Sequence, residues 1–197
     1  MDLIRNMISD LTEFINFFKM KYKYDQRGVL KRYRLKFGLN KKLTEDVWCD
    51  LFVEKSAYNY CAKLLLIKYW EDNGKISSKI NKDGLLKWNN LVTNIENYYS
   101  TLYKISEIDM MECQEMKDIF KESDYDIFEI DDELAGFAIG KLKEYSFKGY
   151  KYDLLFNIFN RFYVDEKSSG VNLQYFYKPA KAIDYVLTLK SNEEKLG

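Results

Sequence analysis

Residues 44–74 read TEDVWCDLFVEKSAYNYCAKLLLIKYWEDNG, the longest helical pattern in the chain. Thr44 followed by Glu45 and Asp46 has the form of an N-cap with acid in the first turn, where the helix dipole favours negative charge. Val47, Leu51, Tyr58, Cys61, Leu65 and Tyr69 recur at helical spacings and form the expected buried stripe. Ser56 is a candidate break into two helices, and Asn73-Gly74 is the stop.

The same periodicity continues in both directions. Upstream, Leu3, Met7, Leu11, Ile15 and Phe18 share a stripe that dissolves into Lys19 to Tyr24 and an expected turn at Asp25-Gln26-Arg27-Gly28. A shorter basic helix follows through Phe37, ended by Gly38. Downstream, a helix is expected from Asp83 to Leu102, with Leu85, Trp88, Leu91, Val92, Ile95 and Tyr99 inward. Others are expected across Met110 to Phe120, Asp132 to Glu144, Asp153 to Tyr163 and Ala180 to Leu189. With one proline in 197 residues, the commonest helix breaker is nearly missing, and no internal repeat is visible. The expected fold is mainly α, an irregular multi-helix bundle with little or no sheet. Residues 1–164 form its helical domain, and 165–197 a linker and the start of something further.

Composition narrows the chemistry. There is no histidine, which removes Ser-His, Cys-His and His-metal arrangements together. Cys49, Cys61 and Cys113 are far apart and odd in number, the pattern of reduced thiols in a cytoplasmic protein. The N-terminus lacks a signal-peptide apolar run, and the stretch Leu64 to Ile67 is bounded by Lys63 and Lys68, so no membrane crossing is expected. The 31 basic and 31 acidic residues cancel overall but not locally. Met1 to Lys42 holds 11 Lys+Arg against 4 Asp+Glu, whereas Glu107 to Glu133 holds 2 Lys against 12 Asp+Glu. The plain reading is two solvated faces that complement each other in the fold. The functional reading gives Arg27, Lys31, Arg32, Arg34 and Lys36 to DNA phosphates, with a salt-dependent affinity as its mark.

Two short motifs invite chemistry. Glu115-Met116-Lys117 and Glu193-Glu194-Lys195 have the ExK spacing of metal-dependent nucleases, but those enzymes set it on adjacent strands. Here the first lies in an expected helix, so a solvated acidic face is the reading and no metal is expected. Gly136 and Gly140 form a GxxxG pattern, which in a water-soluble helix means close approach of a neighbour. Among the 17 Tyr and 13 Phe, Tyr98-Tyr99 and Tyr22 to Tyr24 are the clusters expected at the surface.

The last third is more specific. Tyr152-Asp153-Leu154-Leu155-Phe156 with Ile158-Phe159 and Phe162 precedes a polar loop. Leu173, Phe176, Tyr177 and Pro179 follow, then Ile183-Asp184-Tyr185-Val186-Leu187. This junction resembles that of N6-adenine-specific DNA methyltransferases of restriction-modification and phage-defence systems. There a helical N-terminal domain ends in a "yDxLGxiYExfl" helix, and "LGxfYTPxxivdyil" opens the catalytic domain. Phe156 and Gln174 stand where the family has glycine, and Lys178 where it has threonine. Leu142 to Phe147 resembles the family's lead-in, and Lys36 through Trp70 its earlier helices.

The resemblance implies that Phe176, Tyr177 and Pro179 mark a segment that lines the S-adenosylmethionine pocket in the full-length family. The family's GxG loop and Asn/Asp-Pro-Pro-Tyr/Phe loop do not occur in this sequence. The expectation is a non-catalytic unit, truncated before those motifs, with no catalytic residue, metal or cofactor of its own. Its implied job is to support a methyltransferase catalytic domain and contact DNA backbone. The alternative is a stand-alone interaction module that uses its acidic surface, in the extreme as a DNA-mimicking antagonist.

Overall fold

The structure, a computed structural model, describes residues 2–25, 27–36, 43–92, 95–165 and 180–193. Among them are nine α-helices and no strand. In chain order these are α1 (Asp2–Asp25), α2 (Arg27–Lys36), α3 (Glu45–Asp72), α4 (Lys82–Leu91) and α5 (Tyr98–Glu112). After them come α6 (Lys117–Phe120), α7 (Asp132–Leu142), α8 (Asp153–Asn160) and α9 (Lys181–Glu193). A π-helical turn, Arg161–Asp165, continues α8. The fold is a mainly α multi-helix bundle, as the periodicity predicts. No helix among the described residues is long and apolar enough to cross a membrane.

The bundle is built around α3. Thr44 caps it as expected, its Oγ1 accepting from Val47 N at 3.4 Å. Gly74 ends it with a φ of +67°, a conformation that glycine adopts without a Cβ penalty. The amides of Gly74 and Lys75 donate back to the carbonyls of Glu71 and Trp70 at 3.1 and 2.9 Å, closing a Schellman motif.

The stripe reading of α3 proved too narrow. Leu51, Tyr58, Cys61, Leu65 and Tyr69 are buried, but so is every other residue from Leu51 to Glu71, because α1, α2, α5, α8 and α9 all pack on this helix. Val47, placed on the stripe, is 45% exposed although Trp48 and Cys49 beside it are buried. Ser56 does not break the helix: its hydroxyl donates to Phe52 O at 2.9 Å and is satisfied inside it.

Three other boundaries differ from the sequence reading. α1 continues through the Lys19 to Tyr24 stretch to Asp25, and the chain re-enters helix at Arg27 instead of turning through Gly28. The expected Asp83 to Leu102 helix is two, α4 and α5, separated at Asn97, which has a φ of +59°. Leu91 and Ile95 consequently sit 77% and 40% exposed rather than inward, and Tyr99 is at the surface. The Met110 to Phe120 helix likewise breaks at Cys113, whose extended backbone ends α5 before the single turn of α6. At the last two joints an apolar residue continues the sequence pattern while the backbone leaves the helix.

Tyr22, expected at the surface, is buried against Phe18 and Phe128, with its hydroxyl donating to Glu129 O. Of the two GxxxG glycines, Gly136 meets a neighbour, since a Cβ there would lie 3.0 Å from the Tyr99 ring of α5. Gly140 faces open space. α9 packs on α8 and α3, and its Ala182, Ile183, Val186 and Leu189 join the same buried core as α1 and α3.

Candidate functional site

Because α3 is enclosed, its polar side chains are buried too, and each needs a partner to offset lost hydration. At the C-terminal end they form a closed network. Lys68 pairs with Asp72 and donates to Tyr145 O at 2.8 Å. Asp72 also accepts from Phe147 N at 2.8 Å and Asn81 Nδ2 at 3.2 Å. Glu71 accepts from the amides of Ile80 and Asn81, each at 2.9 Å, and from Ser106 Oγ at 3.1 Å. Burial drives the Lys68 ammonium below its ordinary range and the Glu71 carboxyl above it. These contacts fasten the 75–81 connection and residues 145–147 to the central helix.

One and a half turns earlier, the environment opens. Lys63, also buried, reaches Asp126 at 2.8 Å and Glu107 at 3.3 Å. Asn59 Nδ2 donates to the same Asp126 oxygen at 2.9 Å, while the second oxygen accepts the Ser123 amide and hydroxyl, both at 2.8 Å. Glu107 Oε1 accepts from Tyr103 Oη at 2.8 Å as well as from Lys63. Tyr60 Oη donates to Phe128 O at 2.5 Å, which anchors the irregular 121–131 segment across the gap. Burial, reinforced by these carboxylates, raises the Tyr60 and Tyr103 phenols well above their usual range.

The group borders a cavity of about 380 Å³. Its walls are Tyr60, Tyr103, Phe120 and Phe128, and four carboxylates line it, Glu107, Glu122, Asp126 and Glu129, against two ammonium groups, Lys63 and Lys104. A second recess of about 360 Å³ shares Lys104 and Glu129 with the first and adds Glu96, Asp131 and Asp132. Lys104 and Glu129 pair at 3.1 Å where the two recesses meet.

A third buried lysine, Lys55, lies 5.0 Å from the Tyr125 ring centre. Burial lowers its ammonium to about 8, against the opposing pull of Asp184 on α9.

The residues singled out from sequence fall elsewhere. Lys31, Arg32, Arg34 and Lys36 lie on α2, as does the backbone of Arg27. Lys31, Arg32 and Lys36 are exposed, whereas Arg34 donates to Leu43 O at 2.7 Å, and Glu45 lies 3.7 Å from Lys31 and 3.8 Å from Arg34. The basic and acidic stretches meet at Lys21, which pairs with Asp131 and Glu133. Glu115 is exposed in the turn before α6, and Lys117 begins that helix, so this ExK is not on strands. Among the described residues no cluster of three or more metal-ligating side chains forms. Phe176, Tyr177 and Pro179 lie outside the described residues, as does Glu194 of the second ExK.

The Lys63 group was missed from sequence, although a signal existed. Glu54, Asn59, Lys63, Lys68 and Glu71 interrupt the longest apolar pattern at helical intervals. Polar residues that recur inside an enclosed helix must be partnered by groups from other segments. No protein-family model, curated protein or solved structure matches this chain.

Proposed function

We propose that this chain is a non-catalytic helical module of the kind that precedes the catalytic domain in N6-adenine-specific DNA methyltransferases. In this reading it supports that domain and contacts DNA backbone through α2. The observation that supports it is the pairing of α8 with α9. The positions that carry the resemblance, Leu154, Leu155, Ile158, Phe159 and Phe162 on one side and Ile183 and Val186 on the other, are buried where the two helices pack on each other and on α3. The two flanks of the resemblance thus share one packed interface. Lys31, Arg32 and Lys36 supply the exposed positive charge for phosphate.

The test is fluorescence anisotropy of a labelled duplex at two salt concentrations. Binding should weaken steeply with salt, and Lys31→Ala/Arg32→Ala/Lys36→Ala should reduce both the affinity and the salt slope, by about one unit per lost phosphate contact. No binding at the lower salt, or a triple variant that binds like the wild type, rejects the DNA-contact role. Titration with S-adenosylmethionine is expected to give no heat, since the chain contains no GxG loop.

A further inference from the structure

α2 has two unlike faces. Its inner face is fixed to the bundle: Leu30 is fully buried, the Tyr33 ring lies 5.9 Å from that of Phe52 on α3, and Arg34 donates to Leu43 O at 2.7 Å. The outer face carries Gly28, Lys31, Arg32, Leu35 and Lys36, all exposed, and no carboxylate. At ~100° per residue, Lys31 and Lys36 lie about 140° apart around the helix axis, with Leu35 and Arg32 between them. The Lys36 ammonium rests 4.9 Å from the Tyr33 ring centre, at the edge of this face. Leu35, in the middle, is 67% exposed. One turn before Arg32, Gly28 leaves the backbone uncovered, and a Cβ there would meet nothing.

Lipid needs a broad apolar face, and this one has a single apolar side chain with charge on both sides. Duplex DNA fits it better. A helix about 10–12 Å across enters the ~12 Å major groove, where phosphates line both rims and the floor offers base-edge acceptors and thymine methyl groups. The 10 residues of α2 span ~15 Å, the length of about four base steps.

We infer that α2 enters the major groove of a DNA duplex, with Lys31 and Lys36 on phosphates of opposite rims, Arg32 on a base edge and Leu35 against thymine methyl groups. This rests on the DNA-contact reading of α2 and goes beyond it, because backbone contact alone reads no base. One group opposes it: Glu45, at the start of α3, lies 3.7 Å from Lys31. Both members of that pair are exposed, so a phosphate can displace the carboxylate at small cost.

Fluorescence anisotropy of the full chain with an A·T-rich duplex, the same duplex carrying deoxyuridine for thymidine, and the thymidine-rich single strand tests it. The thymine duplex should bind most tightly, and removal of its methyl groups should weaken it by about fourfold per methyl engaged, the transfer free energy of one buried methyl. Leu35→Ala should bind the thymine and uracil duplexes alike, with helix content unchanged because the side chain is exposed. Lys31→Ala and Lys36→Ala should weaken both duplexes equally and keep the preference. Lys148→Ala, exposed beside the C-terminal end of α3, should bind like the wild type. Equal affinity of the wild type for the two duplexes overturns the inference and leaves backbone contact standing, whereas no binding of any duplex rejects the DNA-contact reading with it. The inference is also overturned if Leu35→Ala keeps the thymine preference, if the single strand binds as tightly as the duplex, or if Lys148→Ala loses as much affinity as Lys31→Ala. Tighter binding to phosphatidylserine vesicles than to the thymine duplex overturns it too, and makes the face a membrane-surface contact.

Discussion

Lys63 and Lys68 lie five residues apart on the same central helix, and both are almost wholly buried, yet their surroundings differ in kind. Lys68 has one carboxylate, Asp72, whose other bonds go to a backbone amide and an asparagine, so charge and hydrogen bonds close on themselves. Lys63 has two carboxylates and a cavity beside it. The first arrangement is a fastening that ties two connections to α3. The second sets two carboxylates around one ammonium at the edge of a cavity. Burial alone therefore does not distinguish the two lysines; their partners do.

The largest test of this contrast is alkali, which reaches both regions. Burial pushes the phenols of Tyr22, Tyr152, Tyr163 and Tyr185 to about 12, and those of Tyr60 and Tyr103 by the cavity further still. An unfolded tyrosine loses its proton near pH ~10. Between that pH and the folded value the native chain holds protons that the unfolded chain has released, so stability falls as pH rises. Urea midpoints followed from neutral pH upward should drop through this window, with the phenolate absorbance of the buried tyrosines appearing only as the protein unfolds, on top of that of surface tyrosines such as Tyr99 and Tyr150. The full phenolate absorbance of all 17 tyrosines before loss of helix would show the buried phenols to be accessible in the folded state.

Next, Lys68→Ala should cost about 3–5 kcal/mol, because it strands Asp72 and the Tyr145 carbonyl in the interior. A loss below about 1 kcal/mol would mean that water enters and the network is not closed. The matching change at the open site is milder. Glu107→Gln removes surplus negative charge and keeps an oxygen for Tyr103, so its urea stability should stay within about 1 kcal/mol of wild type. Equal losses from these two variants would erase the distinction between them. Smallest of all, Lys104→Ala breaks an exposed pair, its two side chains 56% and 72% accessible, and should change stability by about 0–1 kcal/mol. A larger loss would place that pair inside the fold's support rather than at the junction of the recesses.

Much of the architecture could be read before any coordinate. The Thr44 cap, the Gly74 stop, the α1 stripe of Met7, Leu11, Ile15 and Phe18, and the near absence of proline define helices by local chemistry. Helix joints were less legible. Leu91, Val92 and Ile95 keep a helical spacing across a break that only Asn97 betrays, and Cys113 breaks α5 with no residue type that signals it. The Lys63 group was less legible still, since Lys63, Tyr103, Glu107 and Asp126 come from three separate segments.

Hydrophobic period, caps and the lack of histidine are properties of neighbouring residues, so the chain alone dictated a helical bundle without histidine chemistry. Which polar groups would be enclosed, and which of those would share partners, depends on contacts between residues such as 63, 107 and 126. Desolvation and pairing act over a few ångströms of space rather than a few residues of sequence, and only the packed helices bring those groups within that range.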